Sequence, residues 1–110
     1  MHYKKHYSKL DDNEYTTIRR YGKGRKVGYI IPEVVDSVFS HYVEIKAIFR
    51  RTFNNIPLKL LLKDTDCDTR EEAFDLLQSF YPKEIDKKKE KLYIYHLIKV
   101  KVIKLNGKEY

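Results

Sequence analysis

The sequence predicts an α+β domain, a small barrel or curved sheet with a helical insertion. Three observations lead there. Residues 41–52 alternate, with Val43, Ile45, Ala47 and Phe49 on one face and Tyr42, Glu44, Lys46 and Arg50 on the other, the period of a half-buried strand. Residues 91–104 alternate likewise, placing Leu92, Ile94, Ile98, Val100 and Val102 opposite Tyr93, Tyr95, Lys99 and Lys101. Between them, Ala73, Phe74, Leu76, Leu77 and Phe80 recur at a helical period. The chain has 110 residues, which suits one domain spanning 1–110 and is too short for two.

Residues 3–10 are the first strand candidate, Tyr15 to Arg20 the second, and residues 27–33 the third. The 41–52 strand follows. Pro57 to Leu62 reads as a short helix. Thr69 opens the clearest helix: Thr69 and Glu72 have capping-box spacing, and acidic residues fill the first turn. Tyr81-Pro82 closes it, because the residue before proline avoids the α region. The last strand is long, so a bend or bulge is expected in it. His96 falls on its apolar face and reads as a satisfied core histidine. The run Lys87-Lys88-Lys89-Glu90-Lys91 reads as a solvated loop leading into that strand.

The charge narrows the function. The chain carries 23 Lys and Arg against 16 Asp and Glu, a net +7, which points to polyanionic partners and to nucleic acid first. One acidic patch interrupts it, where Asp64, Asp66, Asp68, Glu71, Glu72 and Asp75 face only Lys63 and Arg70 within residues 61–75. No apolar run approaches the roughly 20 residues of a membrane helix, so no membrane partner is expected. Met1-His2-Tyr3-Lys4-Lys5-His6 is not followed by an apolar signal core, and the single Cys67 allows no internal disulfide. Both fit a cytoplasmic protein. His2, His6, His41 and His96 have no ligand spacing, so no metal is expected, and no other cofactor is expected either.

Thr16-Thr17-Ile18-Arg19 is followed by a short basic loop and by Lys26-Val27-Gly28-Tyr29-Ile30. Next come Ile48-Phe49-Arg50-Arg51, an acidic turn, the capped helix ending in Phe80-Tyr81-Pro82, and a final hydrophobic strand. This order resembles the ASCH domains, a PUA-like family whose small archaeal and bacterial members read Lys-x-x-Thr-Ile-Arg, then Lys-Val-Gly-Asp, then a helix closing on Tyr-Pro. The resemblance runs from about Tyr3 to Ile103. It implies a PUA-like β-barrel of about five to six strands with one or two helices. It also implies binding of RNA or a nucleotide in a cleft beside the Thr-Ile-Arg strand. Some bacterial members remove an N4-acyl group from cytidine, using a lysine three residues before the second threonine, that threonine, and a glutamate just before the helix. Here Thr17 matches the threonine and Arg19 the arginine. Glu14 stands at the lysine position, Tyr29 replaces the aspartate after Gly28, and Asp64, Asp66 and Asp68 compete for the acid.

The residues themselves support binding more simply than hydrolysis. Arg19, Arg20, Lys23, Arg25 and Lys26 flank Gly22 and Gly24, where a backbone can approach a phosphate while cations supply affinity. Arg50 and Arg51 add to the basic set, and Thr16 and Thr17 to its hydroxyls, although β-branched residues in a strand need no further role. Tyr21, Tyr42, Tyr93 and Tyr95 are candidates for stacking on bases. The expected function is therefore RNA or nucleotide binding through Thr16, Thr17, Arg19, Arg20, Lys23, Arg25, Lys26, Arg50 and Arg51. The alternative is a small pyrimidine-nucleoside N4-acyl amidohydrolase, with Glu14, Thr17 and Asp66 as the catalytic set. In it Glu14 would act as a base, since an ionised glutamate cannot donate as the family lysine does. A protein-interaction module is the further alternative, and it would show an exposed apolar patch. The sequence does not set the oligomeric state.

Overall fold

The spine of the fold is a long antiparallel pair, β4 (Val38–Thr52) with β5 (Lys91–Val100), paired from Tyr42 opposite Val100 to Thr52 opposite Lys91. A computed structural model describes residues 1–101. Around the spine lie β1 (His2–Tyr3), β2 (Glu14–Arg19) and β3 (Ile30–Val35). The five strands form one mixed sheet in the order β1-β3-β4-β5-β2, in which only the β1–β3 pair is parallel. Two helices, α1 (Leu58–Thr65) and α2 (Arg70–Ser79), follow β4. The α+β class, the five-stranded sheet and the two helices are those expected of a small PUA-like barrel.

Each face of the sheet carries its own core. On one, Tyr15, Val43, Ile45, Tyr95 and Leu97 pack beneath Met1, Tyr3, Tyr7 and Leu10 of the N-terminal segment. On the other, Ile18, Leu92 and Ile94 pack against Leu61 of α1, Ala73 and Leu77 of α2, and Phe53, Ile56 and Ile85 from the connections. β5 is buried on both faces, so its alternation does not sort core from solvent. Tyr95 and Leu97, on the side read as polar, are fully buried. Glu33 is also fully buried. It accepts hydrogen bonds from Tyr3 Oη at 2.9 Å and Tyr15 Oη at 2.7 Å, and the Met1 amino nitrogen lies 2.5 Å from its other oxygen. That satisfies a carboxylate that burial would otherwise penalise heavily.

The bulge expected in the last strand occurs in β4. The register slips between Ile45 and Ala47, leaving Lys46 as the extra residue. Before it, Val43 and Ile45 share a face with Leu97. Beyond it, Ile48 and Arg50 take that face beside Tyr95 and Tyr93, while Ala47 and Phe49 pass to the face of His96 and Ile94. The expected grouping of Val43, Ile45, Ala47 and Phe49 therefore holds only as far as Ile45. At the same point Ile45 bonds to Gly28 and Tyr29 (Gly28 N to Ile45 O 2.8 Å, Ile45 N to Tyr29 O 2.9 Å). Gly28 has φ +92°, a left-handed turn that delays β3 to Ile30 instead of residue 27.

The N-terminal strand is shorter than expected. Only His2 and Tyr3 pair, opposite Val34 and Val35, and Ser8–Asp11 forms a 3-10 turn. Asp66, in a left-handed conformation just past α1, holds that turn by accepting from Ser8 N at 2.8 Å and from Ser8 Oγ. β5 is regular over its ten residues, and the expected positions 102–104 lie outside the described residues. His96 is not in the core: its side chain is 37% exposed and lies 3.3 Å from Glu14, since the helices cover only part of that face. On the uncovered part, Ile30 and Phe39 are exposed, as is Val38 near the hairpin tip.

The helix signals hold closely. Thr69 is the N-cap of α2 and accepts from Glu72 N at 3.1 Å. Thr69→Ala should lower unfolding stability by about 1 kcal/mol. Leu61→Ala should cost about 2–5 kcal/mol, because Leu61 is fully buried between the helices and the sheet. Chemical denaturation of the two variants checks both.

Candidate functional site

Since β1 and β2 are the two edges of the sheet, a gap lies between them. Arg19 spans it, donating from Nη2 to His2 O at 3.0 Å with its guanidinium 4.9 Å from the Tyr3 ring centroid. Beside this bridge is a cavity of about 500 Å³, walled by β2, the N-terminal segment, the basic loop after β2, and the ends of α1 and α2. Alternation along β2 turns Tyr15, Thr17 and Arg19 to the N-terminal core side, and Thr17 and Arg19 reach the cavity. Arg19 Nε donates to Thr17 Oγ1 at 3.2 Å, which orients the hydroxyl.

A buried ion pair forms the inner end. Lys9, from the 3-10 turn, places Nζ 2.9 Å from Asp64 Oδ1, with side-chain exposures of 3% and 5%. The other Asp64 oxygen accepts from Thr16 Oγ1 at 2.8 Å. The ammonium lies 5.4 Å and 5.8 Å from the Tyr3 and Tyr7 ring centroids. Burial pulls the Lys9 amine below its ordinary value, and Asp64 opposes that shift. Burial and the Glu33 charge push the Tyr3 phenol up, which keeps it neutral. The inner end therefore holds a buried amine, a carboxylate, a hydroxyl and a phenol within one cluster.

The outer end is aromatic and basic. Tyr21 and Tyr81 meet edge to face at 5.8 Å, and Phe80, Leu76 and Leu77 continue that wall. Lys4, Lys23 and Arg25 also line the cavity, as do Asp36 and Ser37 of the β3–β4 turn. Lys23 and Gly24 both have positive φ, which makes the tight turn that presents Arg25.

The structure thus gathers Thr17, Arg19, Lys23 and Arg25 at one cavity. Thr16 sits just behind it, committed to Asp64. Other expected positions lie elsewhere. Glu14 points away from the cavity to His96, because it occupies the opposite phase of β2 from Thr17. Asp66 belongs to the Ser8 turn. Burial raises its carboxyl, but the two Ser8 hydrogen bonds outweigh that and leave it below the ordinary value. Asp64 is the acid at the cavity, and Asp68 is exposed. Arg20 is locked to Glu90 at 2.7 Å and to the carbonyls of Lys83 and Glu84 at 2.6 and 3.1 Å, which pins the 80–90 loop. Lys26, Arg50 and Arg51 are exposed outside the cavity. Of the expected stacking residues, Tyr21 lines the cavity, Tyr42 packs on Phe39 at 5.0 Å, and Tyr95 is buried beside Tyr93.

Lys9, Tyr3 and Tyr7, together with Lys4 and Tyr81, are site residues that the sequence reading passed over. A signal existed. In the strand expected over 3–10, Tyr3, Tyr7 and Lys9 share one face, and a lysine among tyrosines marks a cation that needs a partner. Among the described residues no group of three His, Cys, Asp or Glu side chains could hold a metal ion, and no helix is long and apolar enough to cross a membrane. Searches against protein-family models, curated proteins and solved structures give no match to the chain.

Removing one partner of a buried pair strands the other charge. Lys9→Met or Asp64→Leu alone should therefore cost about 3–5 kcal/mol, and the double variant much less than the sum. A double-mutant cycle by chemical denaturation checks this. Strict additivity would show that the two side chains do not interact.

Proposed function

We propose that the cavity binds a nucleotide, either free or as one unit of an RNA chain. One observation carries this reading: the hydrogen-bonded Thr17–Arg19 pair, the cations Lys23 and Arg25, and the Tyr21–Tyr81 ring pair all line a single cavity. Aromatic rings offer a flat apolar surface to a base, and cations beside them neutralise a phosphate. A volume of about 500 Å³ is within the range of small-molecule sites. The resemblance to ASCH domains supports the same reading, because their cleft lies beside the Thr-Ile-Arg strand.

A second reading has its own support. The amidohydrolase expectation suffers from Glu14, which cannot serve as the family lysine. Lys9 supplies a buried amine at the same cavity as Thr17, paired with Asp64. In that reading Thr17 or a water attacks the N4-acyl carbon, Lys9 or Arg19 donates to the developing oxyanion, and Asp64 holds Lys9 in place. Collapse breaks the C–N4 bond, and cytidine leaves as its amine with the proton the nucleophile gives up. Where Thr17 attacks, water then hydrolyses the acyl-threonine ester to release the acid.

Uridine or cytidine 5′-monophosphate should raise the melting temperature in proportion to the logarithm of its concentration. Lys23→Ala/Arg25→Ala should weaken that binding by about tenfold or more, since each lost charge-assisted contact is worth about 1.5–3 kcal/mol. A thermal shift unaffected by either nucleotide would refute the binding reading. For the second reading, N4-acetylcytidine should release acetate, and Thr17→Val should stop the release while leaving the melting curve intact. No acetate from the wild-type protein would remove it.

A further inference from the structure

We infer that the cavity is one end of a longer track for a single strand of nucleic acid, which leaves it at Arg25 and runs across the sheet to Arg50 and Lys91. The inference rests on the cavity's holding a nucleotide.

A ladder of rings and guanidinium groups joins the two places. Arg25, at the cavity rim, lies 5.8 Å from the Tyr95 ring centroid. Tyr95 stacks on Tyr93 at 6.1 Å and 15°, and Arg50 stands 4.4 Å from the Tyr93 centroid. The basic loop is laid directly on this ladder. Tyr95 Oη donates to Gly22 O at 3.0 Å, and a Cβ on Gly22 would come within 2.9 Å of the Tyr93 ring. Glycine is what lets the loop lie that close. The Lys46 bulge matters too, since it turns Arg50 onto the face of Tyr93, where Lys91 also lies.

These cations are available. Among the described residues, none of Lys23, Arg25, Lys26, Arg50 and Lys91 has a carboxylate within ion-pair distance, in contrast to Arg20, which Glu90 occupies. The Tyr93 ring holds Arg50 in place before a ligand arrives, so less side-chain entropy is lost on binding. Free cations at both ends of a ring ladder that starts at a nucleotide-sized cavity fit a chain of phosphates. A lone nucleotide would leave Arg50 and Lys91 unused. An electrostatic groove beside an aromatic-walled pocket is the usual construction of single-strand binders.

The test compares uridine 5′-monophosphate with a labelled nonauridylate, a length inside the roughly 4–16-nucleotide site sizes of such proteins. The nonamer should bind about tenfold or more tighter than the monophosphate. Arg50→Ala/Lys91→Ala should abolish most of that gain and flatten the salt dependence by about 1.4 in the log–log slope. Affinity for the monophosphate should stay within about twofold, because neither residue lines the cavity. Both substitutions are at exposed positions, and an unchanged melting curve verifies folding.

Equal affinity for monophosphate and nonamer would overturn the track and leave the cavity reading intact. If neither binds, both fall. A gain in affinity with length that survives in the variant would also overturn the track. A nonauridylate paired with its complement that binds as well as the free strand would overturn the single-strand assignment. Displacement by polyglutamate of equal charge, at equal concentration, would point instead to an acidic protein.

Discussion

Lys9 and Asp64 lie 55 residues apart in the chain and meet as a nearly solvent-free ion pair at 2.9 Å. Much of the architecture follows from keeping that pair satisfied. Lys9 reaches inward only because residues 8–11 turn as a 3-10 helix, and Asp66 fixes that turn by capping Ser8. Asp64 is held by α1, and its second oxygen is taken by Thr16 of β2. One carboxylate therefore ties the N-terminal segment, the edge strand and the first helix together. Desolvation makes such a pair a poor source of net stability but a strict demand on geometry, since either charge alone would be costly. The cavity has its inner end where those three elements converge.

The sheet places the rest of the site by remaining open. A closed barrel would pair the edges of β1 and β2. Here Arg19 crosses the gap with one side-chain hydrogen bond and covers Tyr3. The edge of β2 is left beside a space that the N-terminal aromatics and α2 wall in without filling. Arg20, the next residue, faces the other way and clamps the 80–90 loop. Two adjacent arginines thus have unlike tasks, one at the cavity and one in the frame, divided by the alternation of β2 as the strand ends.

The Lys46 bulge is the second device. Without it, the far half of β4 would turn Phe49 toward Tyr93 and Arg50 toward the helices. With it, the aromatic ladder of β5 receives Arg50, and the loop carrying Gly22 and Arg25 lies on the same rings. Gly28 and Tyr29 take the backbone groups of Ile45 at the edge of the bulge, so the break in the ladder leaves them satisfied. The sheet irregularity and the basic loop are parts of one arrangement.

What the sequence determined by itself is local. Thr69 with Glu72 announced the helix start, and the alternation of residues 41–52 and 91–104 announced the two central strands, because caps and periodicity arise from neighbouring residues. Arg19, Arg20, Lys23, Arg25 and Lys26 were legible as one basic group for the same reason, being close in the chain, but the sequence did not show that Arg20 and Lys26 stay outside the cavity. The tertiary structure decided the partners. Lys46 looks like any polar strand position, and only pairing with β5 makes it a bulge. Asp64, Asp66 and Asp68 are equivalent by spacing, yet the direction of α1 gives Asp64 to Lys9 and Asp66 to Ser8. Glu14 sits three residues from Thr17, and an odd separation in a strand puts the two on opposite faces. Lys9 is an ordinary lysine until a carboxylate 55 residues away removes it from water. Contacts of that range depend on how whole elements pack, and no local pattern encodes them.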